Sequence, residues 1–202
     1  MEKYDLHDLS SIRVRVDSRT YKNLDRIATK EALTRQEASF SIQYLIARML
    51  AKKKNLSKDV KRTFQDYFSK LALGPLDFTK RSLTDPLTLE IMKKVDVIDG
   101  GELYNQHYPE GIPSNLSIYF KDGSRFVSGM TKFPFGHSQN NTVDTNIMLL
   151  NKFSIFGSIG LENHEMIKFI VNLQNIDEMT NDELTQIYSC PLKIHPNIKI
   201  DE

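Results

Sequence analysis

Two stretches of the chain alternate apolar and polar residues with the period of two that a half-buried strand requires. Residues 12–16 alternate aliphatic side chains with two arginines, and residues 116–120 alternate large apolar side chains with Ser and Tyr. Asp122-Gly123 follows the second stretch and precedes a further apolar run, 126–130. An Asp-Gly pair between two strand-like runs is a strong hairpin signal, so we expect a β-hairpin here. The short apolar run 95–98 predicts one more strand.

Helical spacing follows a capping signal in the first third of the chain. Thr34 and Glu37 stand three residues apart, as in a capping box. The apolar stripe behind them has the spacing of one helix face and consists of Ile42, Leu45, Ile46, Met49 and Leu50. The lysine run 52–54 ends this helix, where cations suit the helix dipole.

Two further helices are predicted before the hairpin. Ser57 is the expected cap of the first, and Gly74-Pro75 ends it. Its apolar stripe consists of Val60, Phe64, Phe68 and Leu71. Asp85-Pro86 begins the second, because a capping residue followed by proline suits a helix start. Leu87 and Ile91 are expected to face inward from it.

From about residue 140 onward, apolar residues recur only at helical spacing, and Thr180 and Glu183 form another capping-box pair. The apolar positions are Val143, Ile147, Leu150, Met166, Ile170 and Leu173. The order of elements predicts an α+β fold in which helices cover one face of a mainly antiparallel sheet. A short all-helical segment follows it. These tail helices have little of their own to pack against, so we expect them to expose an apolar surface.

Composition narrows the class of protein. The 202 residues are 40% hydrophobic, enough for a packed core, and 27 basic residues balance 26 acidic ones to a net charge of +1. This balance predicts neither nucleic acid nor an anionic membrane as a partner. No apolar run approaches the roughly 18 residues of a membrane span. Cys190 is the sole cysteine, which excludes an intrachain disulfide and fits a cytoplasmic location.

Five segments resemble the MmgE/PrpD family in the same order and at similar spacing. Leu9–Val16 resembles the family's "I-x-x-I-x-V" strand, and Ala38–Ala47 its "A-x-F-S-L-P-Y-x-x-A" helix. Leu83–Pro86 matches "L-x-D-P". Residues 113–125 are similar to "P-x-x-V-x-V-x-x-x-D-G-x-x", and residues 134–137 to "P-x-G-H". The family includes 2-methylcitrate dehydratase, cis-aconitate decarboxylase and iminodisuccinate epimerase.

The resemblance implies a domain organisation and a chemistry. Residues 8–138 would form the family's α+β lid, residues 139–190 helices that return to a large helical domain, and residues 191–202 a tail. The implied activity is a cofactor-independent lyase or isomerase reaction on small di- or tricarboxylates. The family's "K-x-Y-P…H" motif and its helical domain have no counterpart in these residues. We therefore expect the chain to be inactive alone. The alternative is a non-catalytic remnant or interaction domain that keeps the lid fold.

Four residues are candidates for substrate binding. Ser41, Tyr44 and Arg48 lie on the helix side opposite the apolar stripe, where a tyrosine hydroxyl beside serine and arginine suits a carboxylate; the family motif centres on Tyr44. His137 follows the glycine of the "P-x-G-H" segment. Each also has a structural interpretation, as a solvated surface or a packed histidine. No metal site is expected, since His107 has no second ligand at suitable spacing and His164 and His195 read as surface residues. The expected partner is a second subunit or another copy of the chain.

Overall fold

The computed structural model describes residues 5–25, 34–56 and 63–193. It divides the chain after Val143 into two compact units, whereas the resemblance places the end of the lid at residue 138. The first unit combines a four-stranded sheet with helices, and the described part of the second is helical. The predicted α+β fold with a following helical segment is therefore confirmed.

The sheet of the first unit has the strand order β2-β1-β3-β4. Its strands are β1 (Leu9–Val16), β2 (Val95–Asp99), β3 (Ser114–Phe120) and β4 (Arg125–Val127). Strand β1 pairs antiparallel with β3, and β3 with β4, but β1 pairs parallel with β2. The sheet is thus mixed. A long helical connection follows β1 and returns the chain to the end of the sheet at which β1 began, so β2 runs in the same direction as β1.

The alternation predicted for β1 is confirmed by burial. Ile12, Val14 and Val16 are each at most 6% exposed, whereas Arg13 is exposed. Ile12 is paired with a neighbour on both sides, Val95 on β2 and Ile118 on β3, and all three side chains belong to the main core. Strand β1 is therefore the centre of the first unit.

The predicted hairpin joins β3 to β4 through residues 121–124. Gly123 has φ of 82°, a conformation that suits glycine, and the Phe120 N–H donates to the Ser124 carbonyl at 3.0 Å. Strand β4 ends at Val127 rather than continuing to residue 130. Gly129, with φ of 77°, interrupts the ladder before pairing resumes at Thr131.

Seven α-helices and two short 3-10 helices, Leu6–Asp8 and Pro75–Phe78, belong to the described part of the first unit. The α-helices are α1 (Ser18–Asp25), α2 (Arg35–Phe40), α3 (Ile42–Lys54), α4 (Phe64–Leu71), α5 (Lys80–Leu83), α6 (Pro86–Met92) and α7 (Glu102–Asn105). Thr34 caps α2 in the predicted capping box, and the three lysines end α3 as predicted. Thr63 caps α4. The predicted cap Ser57 and the apolar position Val60 lie outside the described residues.

The face of α3 that packs into the core matches the predicted one only in part. Its buried residues are Gln43, Tyr44, Ala47, Leu50 and Ala51. Of the predicted stripe, Leu50 is buried and Ile42 and Ile46 pack against the core while partly exposed, whereas Met49 is 39% exposed. The prediction missed Tyr44 and the two alanines because it ranked side chains by hydrophobicity alone. The alanines let α3 approach α6 closely, and a tyrosine can be buried where its hydroxyl finds a partner.

Asp85 caps α6 as predicted, with its carboxylate accepting from the Thr88 N–H at 2.9 Å and from the Thr88 hydroxyl at 2.6 Å. Replacing Asp85 with alanine is expected to lower the free energy of unfolding by about 1–2 kcal/mol, the usual cost of losing such a cap. Urea denaturation measures this loss. Asp85→Asn keeps an accepting oxygen and is expected to lose less than half as much, and an equal loss would show that the cap is not the cause.

The second unit contains α8 (Thr145–Gly160), α9 (Asn163–Gln174) and α10 (Asn181–Ile187). Thr180 and Glu183 form the predicted capping box at α10. The rings of Phe153 and Phe169 stack at 5.5 Å and join α8 to α9. Most of the predicted tail 191–202 lies outside the described residues, as does His195. No helix in the described ranges combines the length and apolar character needed to cross a bilayer.

Both long helices of the second unit expose large apolar side chains, as the sequence predicts. None of the residues of α8 or α9 is buried. The most exposed apolar side chains of the two helices include Leu149 (55%), Phe156 (53%), Ile167 (60%) and Val171 (47%). Lys152 is the sole charged residue in α8. An exposed apolar surface of this kind is typical of a protein-binding face.

Candidate functional site

A buried polar cluster forms where α3 meets the turn at residues 75–78. Tyr44, Arg48 and Lys52 stand four residues apart on α3, so their side chains lie above one another on one helix face. Asp77, in the single-turn 3-10 helix Pro75–Phe78, faces them. We call these four residues the Asp77 cluster.

Tyr44 is almost fully buried, with 1% of its surface exposed. Its hydroxyl donates to the backbone carbonyl of Asp77, and its ring lies 5.8 Å from that of Phe78. Burial raises the pKa of Tyr44 to about 12. The phenol is therefore protonated at neutral pH and acts as a hydrogen-bond donor.

The carboxylate of Asp77 lies between two cations. It accepts from Arg48 Nε at 3.0 Å, from Lys52 Nζ at 2.8 Å and from the Gly74 N–H at 3.0 Å. Burial acts to raise the pKa of Asp77, but the hydrogen bonds from Lys52, Gly74 and Arg48 outweigh it and hold the pKa below its ordinary value. Asp77 is therefore ionised at neutral pH and is a weak base.

The two cations extend the cluster to neighbouring segments. Arg48 Nη1 lies 3.8 Å from the Asp85 carboxylate at the start of α6, and Lys52 Nζ donates to the Ala72 carbonyl at 2.8 Å. These contacts join α3 to α6 and to the segment that follows α4. The donors of the cluster are thus used to connect parts of the fold.

Ser41 lies next to the cluster and caps α3. Its hydroxyl oxygen accepts from the Tyr44 N–H at 3.2 Å, and its hydroxyl donates to Gln43 Oε1 at 3.4 Å. The structure therefore brings Ser41, Tyr44 and Arg48 together, as the sequence predicts, but it places Tyr44 in the core rather than opposite it.

Lys52 and Asp77 were missed by the sequence analysis. Lys52 was assigned to a helix end, although its position four residues after Arg48 was a signal that it shares a face with Tyr44 and Arg48. Asp77 stands in a segment with no periodic pattern, two residues after Pro75. No sequence signal pairs it with α3.

His137 stands apart from the Asp77 cluster. It is half-buried, its ring stacks on Phe133 at 4.7 Å, and its Nδ1 accepts from the Gln139 N–H at 3.2 Å. These contacts orient the imidazole and leave Nε2 without a hydrogen-bond partner in the described part of the chain. Within the same ranges, no group of three or more His, Cys, Asp or Glu side chains converges as a metal site would.

Replacing Tyr44 with phenylalanine tests the hydrogen bond of the cluster. The variant is expected to lower the free energy of unfolding by about 1–2 kcal/mol, because the Asp77 carbonyl would stay buried without its donor. Tyr119→Phe is the matched control: Tyr119 is half-buried on β3, its ring lies under Arg13, and its hydroxyl has no partner among the described residues. We expect the control to change stability by less than about 0.5 kcal/mol. Equal losses in the two variants would contradict the assignment.

No protein-family model matches the chain, and no curated protein matches it in sequence.

Proposed function

We propose that these residues form the lid part of an MmgE/PrpD-like lyase or isomerase that acts without a cofactor on small di- or tricarboxylates. The proposal rests on the five motif-like segments in family order. The observation that carries it is their assembly into one unit. Four of the five segments contribute β1, α2 with α3, the end of α5 with the start of α6, and β3, and these elements supply residues to a single core. The fifth segment, residues 134–137, lies in the same unit and supplies no residue to that core.

Acid–base groups for this chemistry would come from outside the described residues. Removing a proton next to a carboxylate requires a positioned base and cationic groups that stabilise the enolate-like charge. Asp77 is a poor base because two cations hold it ionised, and Tyr44 is a poor acid because burial raises its pKa to about 12. A second chain, or a further segment of a longer protein, would carry the reacting groups. Within this chain, His137 is the residue that we propose contacts the substrate.

A protein partner is part of the proposal. The exposed apolar surface of α8 and α9 supports either self-association or a second subunit. Neither nucleic acid nor a membrane is proposed as a partner, because the net charge is near zero and the lysine run 52–54 is accounted for as a helix end. We also propose a cytoplasmic location. The single cysteine cannot form an intrachain disulfide, which fits a reducing compartment.

The experiment is complementation. The purified chain would be incubated with 2-methylcitrate, cis-aconitate or iminodisuccinate, alone and with the separately expressed helical domain of an MmgE/PrpD enzyme. We expect turnover in the mixture and none from either part. His137→Ala is expected to lower kcat/KM of the mixture at least about tenfold, while Arg125→Ala, at an exposed cation of β4, leaves it unchanged. Turnover by the chain alone would contradict the proposal.

One observation favours the second candidate function, a non-catalytic remnant or interaction domain. The side chains best suited to bind a carboxylate, Tyr44 and Arg48, already have partners within the chain. For such a domain, we expect the helical domain to bind without turnover. If the helical domain binds to α8 and α9 and the mixture turns over none of the three substrates, the chain is an interaction domain and not part of an enzyme.

A further inference from the structure

A cleft of about 530 Å³ opens beside α1, within the size range of small-molecule sites. The first turns of α1 form one wall, and Asn105 and Tyr108 form the other. None of the four substrate-binding candidates lines it. It is therefore a separate feature of the first unit.

Reciprocal hydrogen bonds fix the two walls of the cleft relative to each other. The Ser18 N–H donates to Asn105 Oδ1 at 2.9 Å, and Asn105 Nδ2 donates back to the Ser18 hydroxyl at 2.9 Å. The Ser18 hydroxyl in turn donates to Asp99 at the end of β2, at 2.7 Å. A cleft held in this way needs little rearrangement to receive a ligand.

Arg19 is held in one orientation by Tyr108. Its guanidinium carbon lies 5.0 Å from the centre of the tyrosine ring, and its Nη1 donates to the tyrosine hydroxyl. The remaining N–H groups of its guanidinium have no partner in the described ranges. A guanidinium that an aromatic ring has already ordered loses less entropy when it binds a carboxylate through its planar fork.

No ion pair closes on the cations of the cleft among the described residues. Lys22, one turn beyond Arg19, forms no direct ion pair or hydrogen bond with any of them, and neither does the amide of Asn23. The Asp99 carboxylate is near enough for the charge of Lys22 to help lower its pKa, but it is bonded to the Ser18 hydroxyl and the Gly101 N–H. The nearby carboxylate of Asp17 is used as a helix cap: it accepts from the N–H groups of Arg19 and Thr20, each at 3.0 Å, and from the Thr20 hydroxyl at 2.6 Å. The cleft therefore offers the Arg19 fork, the Lys22 ammonium and the Asn23 amide to an anion, beside two carboxylates that already accept hydrogen bonds from the fold.

We propose that this cleft binds a small di- or tricarboxylate. Side chains three residues apart on a helix have Cβ atoms about 5–6 Å apart. That spacing suits a ligand with two separated carboxylates, one on the Arg19 fork and one on Lys22, better than a single phosphate. Asn23 lies beside both and can donate to a carboxylate or hydroxyl oxygen. This binding site goes beyond the proposed function, in which His137 is the residue of this chain that contacts substrate.

The test is an NMR titration of the full chain with citrate, against sodium chloride at equal ionic strength. We expect the chemical shifts of the backbone amides of residues 17–23 and 105–108 to change and to saturate, with a dissociation constant for citrate in the millimolar range. Arg19→Ala and Lys22→Ala are each expected to weaken binding at least about fivefold. Arg125→Ala, the control at an exposed cation of β4, is expected to leave it unchanged. No saturable shift in these segments, or equal effects of all three variants, would overturn the proposal.

Two further arms test the chemistry of the site. Inorganic phosphate is expected to bind at least about fivefold more weakly than citrate, and equal affinity would overturn the two-carboxylate assignment. Tyr108→Phe removes the hydrogen bond to Arg19 and keeps the ring, so it is expected to broaden or move the Arg19 Nε resonance while weakening citrate binding by about twofold. An unchanged Nε resonance would contradict the role of Tyr108 in orienting Arg19. Because the readout is binding, these results do not depend on whether the proposed enzyme activity exists.

Discussion

Replacing Asp77 with alanine is expected to lower the free energy of unfolding by about 2–3 kcal/mol. The variant leaves Arg48 and Lys52 with no carboxylate between them and leaves the Gly74 N–H without its acceptor. The side chains of Arg48 and Lys52 are 20% and 24% exposed, so water reaches them in part and the loss is smaller than for a fully buried pair. Urea denaturation followed by circular dichroism measures the change.

The control for Asp77→Ala is an ion pair at the surface. Lys94 Nζ lies 2.8 Å from the Glu90 carboxylate, whose side chain is 56% exposed. Glu90→Gln is expected to change stability by less than about 0.5 kcal/mol, because water screens such a pair. If Asp77→Ala costs no more than Glu90→Gln, the Asp77 cluster does not hold the fold together.

The Asp77 cluster also predicts how stability depends on pH. The pKa of Asp77 is lower in the folded state than the ordinary value of about 3.9 in the unfolded chain. The unfolded state therefore binds the proton more readily, and the stabilisation is complete only well above the unfolded-state pKa of about 3.9 and is lost as pH falls through the folded-state pKa. Between pH 5 and 3, the wild-type protein is expected to lose more stability than Asp77→Ala. Parallel losses would contradict the lowered pKa.

Replacing Phe156 with glutamate is expected to raise the dissociation constant for self-association of the chain at least about tenfold. Phe156 is 53% exposed on α8, so the substitution leaves the packing of the second unit intact while it places a charge on the apolar surface. Sedimentation velocity over a wide range of protein concentration is the measurement. We expect the wild-type chain to associate and Phe156→Glu to sediment as a monomer.

The matched control adds the same charge to the same helix. Asn146 is exposed in the first turn of α8, where an acidic residue is tolerated, so Asn146→Glu is expected to associate as the wild-type chain does. A wild-type chain that stays monomeric at all concentrations would exclude self-association and leave a second subunit as the partner. Equal weakening by both variants would show that net charge, not the apolar surface, controls association.

Periodic patterns predicted the elements of the fold better than the side chains of the site. The alternation in β1 and the capping signals at Thr34, Asp85 and Thr180 were sufficient, because each depends on residues close together in sequence. The parallel pairing of β1 with β2 was not predictable in this way. It depends on where a long helical connection delivers the chain, which local periodicity does not record.

Local sequence patterns also failed to predict the long-range contacts of the candidate site. Ser41, Tyr44 and Arg48 were found because they share one helix, but their surroundings depend on Asp77, 29 residues beyond Arg48. A hydrophobicity ranking also placed Tyr44 on the wrong side of α3, since it does not register that a buried hydroxyl with a partner costs little. Such long-range pairing decides whether the arginine is available to a ligand or serves the fold.

We propose that this chain supplies a capping unit whose Asp77 cluster stabilises the fold, while the reacting acid and base lie elsewhere. Incubation of the purified chain with di- and tricarboxylates in deuterated water, followed by proton NMR, tests it most directly, because exchange reports proton abstraction even without net turnover. We expect no exchange above the buffer blank. Exchange that Tyr44→Phe or His137→Ala abolishes would contradict it.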